Sequence, residues 1–320
     1  MSKLVLVAVG GNALIRAGQA AAAAQQFENA METARAVVQV LKAGHRVVLT
    51  HGNGPQIGAA LIRSELAASS AYRMPYDCCV AATQGEIGYV LQYTLWQAMQ
   101  AEGLNTPVVS LITQVLVDKH DQAFKNPTKP IGPFYSKEVA ERYRSELGWS
   151  VVEDAKRGYR RVVPSPEPKE IIELDAIRAC VDRGLVVIAG GGGGVPVSND
   201  HDISKGIEAV VDKDLTSAIL ASSLDVDVFV IATGVECVYL DYKKSTQRAA
   251  RQLTVDECER YLGEGQFPEG SMGPKIYAAL IYLARGGKEA VITDTSHLLA
   301  AINGQAGTRI QGSDDGFVWP

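Results

Sequence analysis

No stretch of this 320-residue sequence approaches the ~18 consecutive apolar residues that a membrane-crossing helix needs, so none is expected. The apolar run after Lys3 is too short for a secretory signal, and no convincing small-residue cleavage site follows it. Cysteine is scarce and unpatterned: Cys78, Cys79, Cys180, Cys237 and Cys258 form neither a CxxC pair nor a zinc spacing. An odd count in a chain this long fits reduced thiols, which makes the cytoplasm the expected location. Basic charge is not in excess either. Lys and Arg number 31 against 36 Asp and Glu, a formal net charge of −5, so broad nucleic-acid binding is not expected. Proline in the middle of Asn126-Pro127-Thr128 removes a glycosylation site.

Familiar catalytic signatures are missing as well. There is no GxxxxGK[ST] phosphate loop, no HExxH, no GxSxG and no kinase HRD motif. The loop Gly52-Asn53-Gly54 has Ile57 where a dinucleotide fingerprint needs its third glycine. His201 lies between Asp200 and Asp202, but no further spaced ligands stand nearby, so a solvated loop is favoured over a metal site.

What is present is a repeated pattern of apolar strand followed by small or polar loop. Leu4 to Val9 is an unbroken apolar run ending at Gly10-Gly11-Asn12. Arg46–Thr50 runs into His51-Gly52-Asn53-Gly54, Leu185–Ala189 into five glycines at 190–194, Val228–Ala232 into Thr233-Gly234-Val235, and Ala290–Thr293 into Asp294-Thr295. Continuous apolar runs suit strands buried on both faces of a parallel sheet. Loops of this kind at five strand ends predict one crevice at the carboxyl edge of that sheet. Glycine after any single strand is adequately explained as a tight turn; five in succession ask for more.

Helices are expected over about 20–43, 55–68 and 82–101, and 107–113 reads as a strand. From Asp118 prolines and charge interrupt the alternation until about Pro168, with a short helix (about 136–147) and a strand (159–163) between them. This predicts a protruding flap on an α/β fold that carries helices on both faces of its sheet. No low-complexity linker intervenes, so the lobes are expected to share a continuous sheet.

Three lysines stand where a phosphoryl group could use them. Lys213 precedes Asp214 at the start of a predicted helix, Leu215 to Leu224, and Lys275 sits in the first turn of another. A lysine there opposes the helix dipole unless an anion is present. Lys129 lies in the proline-stiffened Lys125-Asn126-Pro127-Thr128-Lys129-Pro130, which alone reads as a surface loop. Phosphoryl transfer needs little beyond alignment and positive charge, so glycine amides, lysines, Mg²⁺ and one organising aspartate would suffice. His51 is a tempting nucleophile, although a loop hydrogen bond is the commoner role for such a histidine.

These residues resemble the amino acid kinase superfamily, and within it the carbamate kinases. The resemblance runs through Gly10–Ala13, His51–Gln56, Thr83-Gln84-Gly85 with Ile87-Gly88-Tyr89, Ala123–Phe134, Val162–Pro166, the glycine run, Gly206–Asp214 and Gly270–Lys275, in order from residue 3 to about 310. The Lys-Asn-Pro-Thr-Lys-Pro and Val-Pro-Ser-Pro stretches are the specific part. The resemblance implies a three-layer αβα sandwich with a mainly parallel eight-stranded sheet and a flap at about 118–168, assembled as a homodimer. It implies an N-terminal lobe (1–212) for carbamate or carbamoyl phosphate and a C-terminal lobe (213–320) for MgATP or MgADP.

By motif, Lys129, Lys213 and Lys275 would carry the phosphoryl charge, with Asp214 positioning the lysines. Gly10, Gly11, Asn12, Gly52 and Asn53 would line the carbamoyl end. Gly191, Gly192, Thr233, Gly234, Val235, Tyr239, Met272 and Gly273 would lie about the nucleotide. The implied reaction is ATP + carbamate ⇌ ADP + carbamoyl phosphate. A kinase for acetylglutamate or uridylate would lack the flap motif, and a binding protein without turnover would have less use for all three lysines and Asp214. Three departures from the family pattern stand out: a longer connection at 200–205, Lys156 before Arg157, and an extended tail after Ile310.

Overall fold

The computed structural model describes residues 2–10, 14–15, 22–154, 158–199, 206–268 and 270–312. The 200–205 connection, Lys156 and the tail beyond 312 therefore lie outside the described residues, as do Gly11 and Asn12.

In chain order, β1 (Leu4–Val9) leads through α1 (Ala23–Lys42) to β2 (Arg46–His51), α2 (Gly54–Ala67), α3 (Tyr76–Ala101) and β3 (Val108–Ser110). Next come β4 (Gln114–Val117), β5 (Lys129–Tyr135), α4 (Lys137–Leu147), β6 (Ser150–Glu153), β7 (Tyr159–Val163) and β8 (Pro168–Ile171). The chain returns through α5 (Leu174–Asp182), β9 (Val186–Ile188), β10 (Val195–Val197), α6 (Lys213–Ser223) and β11 (Val228–Thr233). It continues with β12 (Val238–Leu240), β13 (Arg248–Ala250), β14 (Gln252–Thr254), α7 (Val255–Gly263) and α8 (Met272–Ala284). The last elements are β15 (Glu289–Asp294), α9 (Leu298–Ile302) and β16 (Thr308–Gln311).

Eight strands form the main sheet in the order β14-β16-β15-β11-β1-β2-β9-β3. The five apolar runs picked out from the sequence are its five central strands, β15-β11-β1-β2-β9, all parallel. The β15–β16 pair is antiparallel. Strand periodicity builds the layers. Leu4, Leu6 and Ala8 pack among α5, α6 and α8 residues, while Val5, Val7 and Val9 pack among those of α1, α3 and α9. Because β1 is buried on both faces, it can be apolar throughout. The chain steps from β1 to β2 on one side and later from β9 across to β11 on the other. The winding thus reverses beside β1, where ligands of open α/β sheets bind.

Three elements differ from expectation. Helix α3 begins at Tyr76, six residues earlier than 82, because Tyr76, Cys79 and Val80 pack with Ile57, Ile131 and Val163 in a small core of their own. The 107–113 stretch is strand only at Val108–Ser110, since Gln114–Val117 turns away to pair with β8 and β10. Lys129–Tyr135 is a strand rather than a rigid surface loop. It tolerates Pro130 and Pro133 because it is the edge of the flap sheet β5-β7-β6, and its register breaks between Ile131 and Tyr135, a stretch containing Gly132 at φ 68°. Within the flap, α4 is bounded as its sequence suggests, by the Ser136 hydroxyl on the Val139 N–H and by left-handed Gly148.

Candidate active site

Where the central strands end, their loops and the flap enclose a crevice of about 1050 Å³. Gly10, Gly52 and Asn53, Gly192, Thr233 and Gly234, and Asp294 to Ser296 line it at the sheet edge, and Lys129 and Arg160 line it from the flap.

Two helix N-termini point their charge into this space. Helix α6 starts at Lys213, and its N-cap Asp212 accepts from the Asp214 N–H at 2.9 Å. Helix α8 contributes Lys275 from its first turns. Asp214 joins the two: one carboxylate oxygen takes Lys213 Nζ, and the other takes Lys275 Nζ at 2.9 Å. The three side chains are only 15%, 14% and 5% exposed for Lys213, Lys275 and Asp214, so neither lysine can be treated as a solvated surface charge. Burial pushes the Asp214 carboxyl up, but the two ammonium groups outweigh it and hold the carboxyl below its ordinary range. Burial pulls the Lys213 ammonium down; Asp214 opposes this, while the like charge of Lys275 adds to it. Two cations against one anion leave a net positive centre at two helix N-termini, an arrangement that favours an anion. Lys129 reaches the same centre from β5, 3.2 Å from Asp212, but is 42% exposed.

The loop motifs owe their residue types to packing beneath this centre. Asn53 donates its amide to Thr83 Oγ1 at 3.0 Å. Gln84 exchanges two bonds with the Thr113 backbone, at 2.7 and 3.1 Å. The glycine run is buried, and its lack of side chains is what the site requires. A Cβ on Gly191 would overlap the His51 ring, one on Gly192 the Asn53 amide, one on Gly193 the Val211 carbonyl and one on Gly194 the Val115 side chain. The first two glycines thus let the sheet edge approach the His51-Gly52-Asn53 loop, and the third lets it approach the backbone just before Lys213. Thr216 Oγ1 then ties α6 to the Gly193 carbonyl at 2.8 Å.

Ten of the residues expected at the site line the crevice together: Gly10, Gly52, Asn53, Lys129, Gly192, Lys213, Asp214, Thr233, Gly234 and Lys275. Gly191, Val235, Tyr239, Met272 and Gly273 do not. Gly191 lies beneath it against His51, and Met272 packs on the core. Gly273 makes a tight turn on the Pro268 carbonyl, and Tyr239 faces Tyr242 at 6.3 Å. Asp294-Thr295 is the strand-end loop the sequence placed at the crevice, and Ser296 lines it beside them; Asp212 and Arg160 were not named as site residues. Asp212 carried a readable signal, an aspartate just before a predicted helix. Arg160 carried none, because its neighbours are assembled only by the flap. Among the described residues no group of three or more His, Cys, Asp or Glu is arranged to hold a metal ion.

A family model described as the amino acid kinase family matches residues 3–294. The carbamate kinase of Thermococcus kodakarensis is 44% identical over 312 residues, spanning 96% of this chain and 99% of that protein. The carbamate kinase of Trichomonas vaginalis is 44% identical over 309 residues, spanning 96% and 98%. Among solved structures, carbamate kinase from Giardia lamblia bound to AMP-PNP superposes with a TM-score of 0.92 at 39% identity, over 98% of this chain and 99% of the other. The chain belongs to the amino acid kinase family, and it is a kinase. Within that family its full-length likeness is to the carbamate kinases.

His51 is fully buried and its Nδ1 donates to the Gly52 carbonyl at 3.0 Å. Burial, reinforced by Lys213 and only partly offset by the Gly52 bond, drives the imidazole from 6.5 down to about 4. It is a neutral support for the loop, in keeping with the reading that passed it over as a nucleophile. Above pH ~6.5 both folded and unfolded states hold it neutral and it adds no pH dependence. Between pH ~6.5 and ~4 only the unfolded chain takes the proton, so stability falls by about 3 kcal/mol as the pH drops. His51→Asn is therefore expected to be less stable than wild type at pH 8, with a deficit that shrinks towards pH 4.5 in urea melts. A deficit independent of pH would contradict the buried neutral imidazole.

Proposed function

We propose that the protein transfers a phosphoryl group between carbamoyl phosphate and ADP, releasing carbamate and ATP. The observation that carries this reading is the Lys213–Asp214–Lys275 centre at two helix N-termini, with Lys129 of the flap across from it. In the forward step a terminal oxygen of ADP attacks phosphorus in line, the bond from phosphorus to the carbamoyl oxygen breaks, and its electron pair leaves on carbamate. Charge on the equatorial oxygens of the transferring group is what Lys213 and Lys275 stabilise, and Asp214 fixes both ammonium groups beforehand. Lys129 neutralises the donor phosphate from the flap side. Because carbamoyl phosphate is a mixed anhydride, its breakdown favours ATP formation, which fits use in arginine or related nitrogen catabolism.

In this reading residues 1–212, with the flap at about 118–168, hold the carbamoyl end through Gly10, Gly11, Asn12, Gly52 and Asn53. Residues 213–320 hold the nucleotide through Thr233 and Gly234 at the crevice wall, with Gly192, while Val235, Tyr239, Met272, Gly273 and Gly191 support that wall from outside the crevice. Likeness to a carbamate kinase bound to AMP-PNP supports the nucleotide half. Mg²⁺ enters as part of the nucleotide substrate. Phosphate oxygens can supply most of its ligands, which suits a crevice whose central carboxylates, Asp212 and Asp214, already hold lysines. A cytoplasmic location fits five thiols that form no disulfide and the absence, among the described residues, of a helix long and apolar enough to cross a membrane.

A homodimer is also part of the reading. Tyr89 and Trp96 of α3 are 61% and 52% exposed in an aromatic row with Tyr93, next to the edge strand β3. A second copy of the same face is the occupant that such a row and unpaired edge suit.

Purified protein with MgADP and carbamoyl phosphate is expected to form ATP rapidly, and not from acetylglutamyl phosphate. ADP binding without ATP formation would replace the kinase reading with that of a binding protein. Lys275→Ala is expected to lower kcat by at least 100-fold while shifting ADP affinity by only a few-fold, because its charge acts mainly in the transition state. An unchanged kcat would remove Lys275 from the chemistry. In light scattering, Trp96→Glu is expected to convert a dimer to a monomer; a dimer unaffected by the change would move the interface elsewhere.

A further inference from the structure

Adjacent arginines on β7 are treated in opposite ways by the fold. Arg161 is 8% exposed and turned to structural partners: its guanidinium lies 4.4 Å over the Trp149 ring and binds Glu208 at 2.5 Å. That pairing ties the flap to the 206–212 stretch. Arg160 lines the crevice with Lys129, Pro130 and Ile131. Its Nη1 meets Asp154 at 3.2 Å and its Nη2 meets the Pro130 carbonyl at 3.3 Å, with the Phe134 ring 5.3 Å from the guanidinium carbon. Its Nε is buried and has no hydrogen-bond partner.

A buried donor without an acceptor costs about 1–3 kcal/mol, so such a group is seldom retained without a partner. Here the donor belongs to a guanidinium, whose planar fork matches carboxylate and phosphate oxygens better than an ammonium does. It stands on the flap strand next to the one that carries Lys129. Both long bonds hold the guanidinium plane without exhausting its five N–H groups. Lys213 and Lys275 already serve the transferring phosphoryl group in the reading above, on which this inference rests.

We propose that Arg160 is a substrate-binding residue that recognises the oxygens of carbamoyl phosphate from the flap, through Nε–H and a neighbouring Nη–H. It sets affinity and orientation for the carbamoyl donor and contributes little to nucleotide binding.

The test is steady-state ATP formation by wild type, Arg160→Gln, Arg160→Lys and Asp154→Asn, each checked for folding by its thermal midpoint. Arg160→Gln is expected to raise KM for carbamoyl phosphate at least tenfold while KM for ADP stays within about twofold. Arg160→Lys, which keeps the charge and loses the fork, is expected to fall between it and wild type. Asp154→Asn removes a brace but leaves the guanidinium, and is expected to change KM far less than Arg160→Gln. An active wild type with an unchanged carbamoyl-phosphate KM in Arg160→Gln overturns this inference alone. So does an equal rise in Asp154→Asn, which would make Arg160 a structural link, or a parallel rise in KM for ADP. A wild type that forms no ATP overturns the kinase reading and this inference with it.

Discussion

Two buried lysines that share one buried aspartate are the constraint around which the rest of the structure is arranged. Removing three charges from water costs several kcal/mol per ion, and only close pairing offsets it. Asp214 can satisfy both lysines only if the starts of α6 and α8 stand side by side, since it sits beside one and must reach the other. The contact between α6 and α8 is correspondingly apolar and tight, with Ala218, Ala221, Ala278 and Ala279 all buried in one cluster. Small residues let the helix backbones approach, and that approach is what allows one carboxylate to span both ammonium groups.

The other half of the constraint lies at the sheet edge. Helix α6 is anchored to β2 through Thr50 Oγ1 and Ser217 Oγ, 2.6 Å apart, and to the glycine run through Thr216. His51 and Asn53 fill the space that Gly191 and Gly192 leave open. A neutral imidazole is the appropriate filler there: a protonated ring would place a third cation near Lys213 without a counter-ion. The same residues that shape the loop therefore preserve the electrostatic balance of the lysine pair.

Legibility from sequence followed the range of the interactions. The five central strands were readable because burial on both faces writes itself as an unbroken apolar run, and Lys213 and Lys275 because a lysine in a helix's first turn contradicts the dipole. The glycine run was visible, but the close backbone approaches it permits were not, nor that Gly192 lines the crevice while Gly191 lies against His51. The flap strand β5 was hidden by its prolines, which are acceptable only on an edge. Arg160 and the Lys129–Asp212 pair were invisible because each joins residues that only the folded flap brings together. Asp212 and Lys129 are 83 residues apart.

The charges around the crevice divide by how firmly they are held. Lys213 and Lys275 are buried and locked to Asp214, so their positions are set before any ligand arrives, as electrostatic stabilisation of a transition state requires. Lys129 is solvated, and its partner Asp212 also serves as the α6 N-cap, so an incoming anion competes with that aspartate for the lysine. Asp212 is not stranded by the exchange, because the Asp214 and Leu215 amides remain bonded to its side chain. The flap can thus transfer its cation to a ligand without unseating the helix that carries Lys213. A lysine free to leave Asp212 and a rigid start of α6 are compatible because Asp212 has a second set of partners.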